Sequence, residues 1–111
     1  MKCVEEASSV SLVIEHDLPI GKESEFSRWQ SEIIAASRQF QGYLGTDNLP
    51  PVKGVQDKCY TIIYFDTPEN LTRWLESDVR HRLIKTRRKN FGPYQFIIYS
   101  LRNGFRKLVF S

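Results

Sequence analysis

The chain has 111 residues, of which 41% are hydrophobic and 26% charged, and its formal net charge is +3. This length suits one domain over residues 1–111 with one hydrophobic core, and the composition excludes a disordered or fibrous protein. No apolar run approaches the roughly 20 residues that a membrane-spanning helix needs. The N-terminal residues lack the apolar block of a signal peptide, so we expect a cytoplasmic protein with no membrane segment in this sequence.

The two cysteines, Cys3 and Cys59, are far apart and show no CxxC spacing. Without a signal peptide, two reduced thiols are the expectation. His16 stands between Glu15 and Asp17, which suggests a metal cluster on paper. In a strand, however, alternation sends His16 to the face opposite both acids. We therefore predict neither a disulfide nor a metal site.

The first half of the chain predicts a strand, a helix and a second strand. Ser8 to His16 alternates in polarity, and its apolar face consists of Val10, Leu12, Ile14 and His16. A long helix is predicted to begin near Lys22 and to end at Gly42, in the left-handed conformation common at helix C-termini. Its predicted buried stripe is Phe26, Trp29, Ile33, Ala36 and Phe40. Tyr43 to Leu49 reads as the second strand.

The second half begins after a loop from Leu49 to Asp57. Lys58 to Phe65 is the strongest strand and is apolar on both faces. A helical region from Thr67 to Lys89 follows, with one capping signal at Thr67-Pro68 and a second at Ser77-Asp78. In it, Val79 and Leu83 are predicted to continue the apolar face, flanked by Arg80, His81, Arg82 and Lys85. Tyr94 to Leu101 predicts a fourth strand, and residues 102–111 form a C-terminal strand or tail.

This order, β-α-β-β-α-β, predicts an α+β, ferredoxin-like fold with an antiparallel sheet and a core over residues of about 8–101. Two helical regions can cover only one face of a four-stranded sheet. The third and fourth strands are apolar on both faces, and an exposed apolar sheet would be an adhesive patch. A second copy of the chain is the expected cover, which predicts a homodimeric α+β barrel.

Two segments carry a family resemblance. The first, EFSRWQSEIIAASRQFQGYLGT, contains the turn Phe40-Gln41-Gly42-Tyr43 between a helix and a strand. The second, FDTPENLTRWLESDVRHRL, contains an acidic strand end and the helical string Arg73-Trp74-Leu75-Glu76-Ser77. Over roughly Val10 to Arg87, the chain resembles the antibiotic-biosynthesis-monooxygenase family, whose ferredoxin-like domains dimerise into α+β barrels.

For activity, the resemblance implies oxygen chemistry without a bound flavin or metal in the quinone-forming members. There an electron-rich phenolic substrate is deprotonated and reacts with dioxygen in a water-poor pocket between sheet and helices. A haem-degrading branch instead uses an asparagine on the first strand, a tryptophan and a helical histidine that binds the iron. Trp74 matches that tryptophan, whereas His16 and Ile84 stand where the asparagine and the histidine would fall.

Two histidines are candidate catalytic residues. His16 ends the apolar face of the first strand, where it could deprotonate a phenol, since the pKa of histidine lies near neutrality. The alternative is a hydrogen-bonded histidine at a strand end. His81 lies between Arg80 and Arg82, cations that disfavour its charged form and leave a neutral base. It could equally be an exposed helix residue.

Four residues are candidate ligand contacts. Trp29 and Trp74 lie on the apolar stripes of the two helical regions and could wall an aromatic pocket or simply pack in the core. Tyr60 could face a cavity or the dimer interface. Arg80 could bind a carboxylate or phenolate, or pair with a surface acid.

These features predict a cofactor-independent monooxygenase that oxidises a small aromatic, quinol-type molecule with dioxygen. Two alternatives stay open: a non-catalytic dimeric protein that binds a small ligand or acts in stress, and a diverged haem binder. We expect no nucleic-acid partner. The basic stretch Arg80 to Lys89 has no interleaved aromatic residue and reads as a solvated face near a helix C-terminus.

Overall fold

The structure is a computed structural model that describes residues 9–17, 21–51, 54 and 58–92, with the backbone alone of residues 95–100 and 105–110. Its strands are β1 (Val10–Asp17), β2 (Tyr43–Leu49), β3 (Lys58–Phe65), β4 (Gln95–Ser100) and β5 (Phe105–Phe110). Its helices are α1 (Glu23–Ser37), α2 (Pro68–Leu75) and α3 (Asp78–Phe91). In these described ranges, no helix combines the length and the apolar character that crossing a bilayer requires.

The strands form one antiparallel sheet in the order β2-β3-β1-β4-β5. The first four follow the ferredoxin-like arrangement, so the predicted α+β fold is confirmed. β5 adds an edge strand beside β4, with Gln95 opposite Phe110 and Ser100 opposite Phe105. The C-terminal segment is therefore strand-paired within the chain.

Alternation along the two central strands puts one face of each into the core. In β1 the inner residues are those predicted, from Val10 to His16, and all four are buried. In β3 the inner residues are Cys59, Thr61, Ile63 and Phe65, again all buried. The helices cover this face, because Phe26, Trp29, Ile33, Leu71, Trp74 and Ile84 belong to the same core cluster.

The end of α1 differs from the prediction. Phe26, Trp29 and Ile33 are buried as expected, but the helix ends at Ser37, before Phe40. The chain then tightens, since Gln39 N–H donates to Ala36 O and Phe40 N–H to Ser37 O. Such bonds over three residues close the last turn of a helix. The predicted end at Gly42 was wrong, and Phe40 packs against the core from the connecting turn.

The predicted break in the second helical region is confirmed, and side-chain caps explain it. Thr67 Oγ1 accepts a hydrogen bond from the backbone of Asn70 at 3.1 Å, with Pro68 at the first helical position. Ser77 Oγ accepts one from the backbone of Arg80 at 3.2 Å. Each cap satisfies an amide that the helix itself leaves unbonded. Two helices, α2 and α3, therefore replace one long helix.

The buried side of α3 corrects the prediction for the basic stretch. Arg80, Ile84 and Arg87 are the buried residues of this helix, whereas Val79 and Leu83 are only partly buried. Their spacing of four and three residues is one face of a helix. Arg80 and Arg87 therefore do not belong to a solvated surface. The neighbouring cations Arg82, Lys85, Arg88 and Lys89 are exposed, as expected.

Part of the sequence-based prediction falls outside the described residues. Cys3, the loop residues 18–20 and most of residues 52–57 lie there, as do Tyr94 and Leu101 at the predicted ends of the fourth strand. For β4 and β5 only the backbone is described, so the register places residues on a face without defining their contacts.

Candidate functional site

His16 lies in the core of the domain, between β1 and the helices. Its side chain is almost fully buried, with 1% of its surface exposed. The imidazole meets the rings of Phe26 and Trp29 edge-on, with centroids at 5.0 and 6.3 Å. The predicted face is therefore correct, and the apolar strand face carries one titratable group into the interior.

Hydrogen bonds occupy both ring nitrogens of His16. Arg87 Nη2 lies 3.2 Å from Nδ1, and Thr61 Oγ1 lies 3.3 Å from Nε2. Burial, and to a lesser extent the Arg87 charge, lower the pKa of His16 from 6.5 to about 3. The imidazole is therefore neutral at physiological pH. It accepts a hydrogen bond from a cation and is a weak proton acceptor.

Arg87 connects three elements of the fold at this point. Its side chain is 2% exposed, and Nη1 donates to the carbonyl of Gly92 at 2.6 Å. The guanidinium carbon lies 5.9 Å from the ring centroid of Phe26 and 5.6 Å from that of Trp29. Aromatic faces and a carbonyl oxygen both attract a buried guanidinium. α3 is thereby joined to α1 and, through His16, to β1.

Thr61 is the next polar residue outward from His16. Its hydroxyl also receives a hydrogen bond from Gln30 Nε2 at 2.6 Å and donates to Asn48 Oδ1 at 3.2 Å. Gln30 is on α1 and partly buried, whereas Asn48 is on β2 and exposed. A continuous polar chain therefore runs from the buried guanidinium of Arg87 to the surface between α1 and β2.

Two clefts lie beside the outer end of this chain. One has a volume of about 370 Å³ and is mostly apolar; its walls include Phe26, Ser27, Gln30, Asn48, Leu49, Pro50, Pro51, Cys59 and Tyr60, with Glu23 at its edge. The other, of about 300 Å³, is lined by Ser31, Ile34, Ala35, Arg38, Thr46 and Asn48. Asn48 borders both. An apolar cleft with a few polar groups at one end is the usual form of a small-molecule site.

The other candidate base, His81, is placed differently. It is exposed on α3 and borders neither of these two clefts. Arg80, its neighbour, is buried, and its Nη1 donates to the carbonyl of Leu75 at 3.2 Å, at the end of α2. The structure therefore does not bring His81 or Arg80 to the polar chain that contains His16.

Both tryptophans belong to the core. Trp29 donates its indole N–H to the carbonyl of Leu83 at 2.8 Å, which joins α1 to α3. Trp74 is fully buried and meets Phe40 edge-on, with centroids at 5.2 Å. Within the described part of the chain, its indole N–H has no hydrogen-bond acceptor. The structure therefore places both rings in the core, which is one of the two interpretations that the sequence left open.

Tyr60 is the one predicted ligand contact that borders a described cleft. It stands at the start of β3, and its hydroxyl donates to Glu15 Oε2 at 3.0 Å on the outer sheet face. Tyr60 therefore borders the cleft and also has its hydroxyl bonded on the sheet face where a dimer partner was predicted.

Sequence reasoning missed Gln30, Asn48, Thr61 and Arg87. Thr61 had a usable signal, because it is the hydroxyl-bearing residue on the apolar face of β3, as His16 is the polar residue on that of β1. Arg87 had a weaker one, its helical spacing from Ile84. Gln30 and Asn48 lie on surface-facing positions and become informative only through their contacts with Thr61.

The described residues offer no grouping of three or more His, Cys, Asp or Glu side chains that could hold a metal ion. The residue at position 84, where the resemblance indicates a histidine that binds haem iron, does not fit this role. Ile84 stands there, is buried in the core and has only a hydrocarbon side chain. Burial also raises the pKa of the Cys59 thiol, which favours the form that binds metals poorly.

No family model matches the chain. Among curated proteins, an uncharacterised protein of Synechococcus elongatus is 35% identical over 74 residues, which are 67% of this chain and 36% of that protein. The chain thus spans about a third of the length of this relative.

Solved structures give the wider comparison. SnoaB, a cofactor-independent oxygenase of Streptomyces nogalater, is similar in a mutant form with a TM-score of 0.65 and 13% identity, over 95% of this chain and 92% of that one. A protein of Nitrosomonas europaea, provisionally named an antibiotic biosynthesis monooxygenase, has a TM-score of 0.64 and 11% identity, over 95% of this chain and 89% of that one. The haem-degrading protein Rv3592 of Mycobacterium tuberculosis has a TM-score of 0.55 and 22% identity, over 62% of this chain and 79% of that one. At these identities the likeness concerns the fold. The chain therefore shares the fold of these proteins, which include a cofactor-independent oxygenase and a provisionally named antibiotic biosynthesis monooxygenase.

Proposed function

We propose that this protein binds a small aromatic, quinol-type molecule in the larger cleft and oxidises it with dioxygen, without a bound cofactor. The observation that carries the proposal is the cleft itself. Its apolar wall from Phe26, Leu49, Pro50 and Cys59 suits an aromatic body, and the Thr61 chain lies behind one end. The fold that it shares with a cofactor-independent oxygenase supports oxygen chemistry there.

The reaction balances without an external reductant. In an anthrone-type substrate, the methylene group gives up two hydrogens and gains one oxygen atom as a new carbonyl. The second oxygen atom of dioxygen leaves as water with those two hydrogens. All four electrons come from the substrate, which has to be electron-rich. Excluding water and orienting the substrate are then the tasks left to the protein.

His16 has a positioning role in this proposal. Its low pKa and its two hydrogen bonds make it too weak to take a proton from a phenol, so it holds Thr61 instead. His81 lines neither cleft, so it has no part in an oxidation at this site. Trp29 supports the cleft from within the core through its contact with Phe26, whereas Trp74 packs against Phe40. Arg80 fixes the junction of α2 and α3.

One observation favours a second function, binding of a small ligand without catalysis. The larger cleft has an apolar wall and a polar end, but no histidine lines it among the described residues. A site of this kind can hold an aromatic molecule without activating it. The two functions share the ligand and differ in whether oxygen is consumed.

Blocking the cleft is expected to abolish both functions. Ser27→Trp places an indole on the side of α1 that lines the cleft, so kcat/KM for oxygen uptake with quinols and anthrones should fall at least about tenfold. Ser24→Trp is the matched control, because Ser24 is also exposed on α1 but lies outside the cleft lining. An oxygen electrode measures uptake, and quenching of ligand fluorescence measures binding.

The outcomes separate the two functions. Oxygen uptake that Ser27→Trp removes and Ser24→Trp leaves within twofold supports the oxidase. Saturable binding that shows the same pattern, with uptake equal to the protein-free blank, supports the binding function. Equal behaviour of the two variants contradicts the cleft as the site.

We also propose that the protein forms a homodimer through the outer face of the sheet. Ser11, Val13, Glu15, Tyr60, Ile62 and Tyr64 project from β1 and β3 on the side away from the helices. They are half-buried within the chain alone. The hydroxyls of Tyr60 and Tyr64 are bonded to Glu15 and Asp47, so this face presents ring surface with its polar atoms paired.

A charge at the centre of this face is expected to prevent dimerisation. Ile62 pairs with Val13 on one side and Asp47 on the other, so Ile62→Lys would bury an ammonium group in an interface between two sheets. Sedimentation should give a dimer for the native chain and a monomer for the variant. Thr72→Lys on the exposed side of α2 controls for the added charge. A native chain that sediments as a monomer at tens of micromolar would refute the interface.

A further inference from the structure

The hydrogen bonds from Arg87 to the surface have a fixed direction. A guanidinium group can only donate, so Nδ1 of His16 must accept the bond from Arg87 Nη2. A neutral imidazole that accepts at Nδ1 carries its proton at Nε2. The bond at 3.3 Å between Nε2 and Thr61 Oγ1 therefore runs from His16 to Thr61.

Thr61 continues this direction because its hydroxyl has one proton to give. Two donors, His16 Nε2 and Gln30 Nε2, point at Oγ1. The hydroxyl proton is therefore directed at the remaining partner, Asn48 Oδ1, at 3.2 Å. Every link from the permanently charged Arg87 outward is a donation, and hydrogen bonds arranged in series polarise one another.

At the surface, this order fixes the amide of Asn48. Its carbonyl oxygen is turned towards Thr61, so the other end of the side-chain amide, the NH₂ group, is what the exposed side chain offers at the border of the two clefts. A ligand in the larger cleft therefore meets N–H donors at its polar end. Glu23 also lines this cleft, and its carboxylate would repel an anionic group placed near it.

We propose, resting on the proposed function, that Asn48 is a specificity-determining residue that donates a hydrogen bond to an acceptor oxygen of the aromatic ligand. The ligand class is an aromatic molecule with a phenolate or carbonyl oxygen near Asn48 and no second anionic group near Glu23. Thr61, His16 and Arg87 act as positioning residues that hold the amide in its donating orientation. The phenolate form of a phenol binds more tightly than the neutral form.

The experiment uses two probes with the same ring system. 2-Naphthol carries the oxygen, and 2-methylnaphthalene has a methyl group in its place. Fluorescence titration gives the affinity of each probe, and absorbance across pH gives the pKa of bound naphthol. The titratable groups that line the cleft in the described residues, Glu23, Cys59 and Tyr60, are the same in every protein compared.

Asn48→Asp is the informative variant. The new carboxylate still accepts from Thr61, but it replaces the donor with a negative acceptor, and an exposed position tolerates the change. Asn90→Asp, also exposed, introduces the same charge on α3, outside both cleft linings. In the native protein and in Asn90→Asp, the pKa of bound naphthol should lie about one unit below that of free naphthol. In Asn48→Asp it should lie above the free value, with methylnaphthalene affinity changed less than twofold.

Three results would count against the inference. If both probes bind but the pKa of bound naphthol is unshifted, Asn48 is not a hydrogen-bond donor to the ligand, although the cleft is still a ligand site. Equal shifts in Asn48→Asp and Asn90→Asp assign the effect to overall charge and also overturn the role of Asn48. If neither probe binds to the native protein, the proposed ligand site itself fails, and the inference fails with it.

Discussion

The free energy of unfolding is expected to fall by about 1.4 kcal/mol per pH unit between roughly pH 6.5 and pH 3 because of His16 alone. Burial and the nearby Arg87 lower the pKa of this residue from 6.5 to about 3 in the folded protein. Over this range the unfolded chain binds a proton that the folded chain does not, so acid favours unfolding. Above pH 6.5 the imidazole is neutral in both the folded and the unfolded protein, so His16 no longer makes the free energy of unfolding depend on pH. Between pH 6.5 and pH 3 the free energy of unfolding falls by about 5 kcal/mol in total because of His16.

His16→Gln isolates this contribution from the titration of carboxylates. A glutamine amide can accept from Arg87 and donate to Thr61, as the imidazole does, but it does not titrate. Urea denaturation at a series of pH values should show a shallower pH dependence for the variant. The exposed Asp17–Lys58 pair, which lowers the pKa of Asp17, is common to both proteins and cancels in the difference. Parallel pH profiles for the two proteins would show that His16 is accessible to protons when folded.

Gly42→Ala is expected to destabilise the domain by about 3 kcal/mol. The residue has a φ of +89°, which costs an L-residue about 1–2 kcal/mol. A Cβ there would also overlap Asp66 Oδ1 and the Asn70 side chain, and overpacking costs about 1–3 kcal/mol more. Asp66 receives a 2.8 Å bond from Asn70 and donates its own N–H to Gly42 O, so neither neighbour can move without breaking a bond. The midpoint of urea denaturation measures the loss.

Gly21→Ala separates strain from overlap. Gly21 has nearly the same φ, +83°, but no atom of the described residues lies within 4 Å of a Cβ placed there. Only the backbone cost of about 1–2 kcal/mol is expected. If both variants lose the same stability, the close approach of Asp66 and Asn70 to Gly42 has no energetic weight. If Gly42→Ala is harmless, the turn itself is not held as the structure describes.

The fold was predictable from sequence because its signals are local. The alternation in β1 and β3 defined their inner faces, and the capping residues Thr67 and Ser77 located two helix starts. The end of α1 was not predictable in the same way. The apolar Phe40 continues the helical spacing, yet the bonds that close the last turn end the helix at Ser37, and Phe40 reaches the core from a turn.

The site was predictable only in part, because its residues are distant in sequence. Strand alternation put His16 on the correct face, but its function depends on Arg87, 71 positions away. Charge suggested a solvated arginine, since arginine is seldom fully buried without a partner. The rings of Phe26 and Trp29, the Gly92 carbonyl and His16 supply the environment that makes burial possible. Only tertiary structure brings these groups together.

The contacts of Arg87 also bear on how the domain opens. The side chain leaves from α3, contacts rings of α1, bonds to His16 of β1 and to the carbonyl that follows α3. If α3 detached alone, β1 would be left with an imidazole nitrogen lacking its donor, and two rings would lose their cation. Local opening of α3 is therefore nearly as costly as opening α1 and β1 with it. We therefore expect the three elements to open as one cooperative unit, so that their most protected amides exchange hydrogen through one shared opening event.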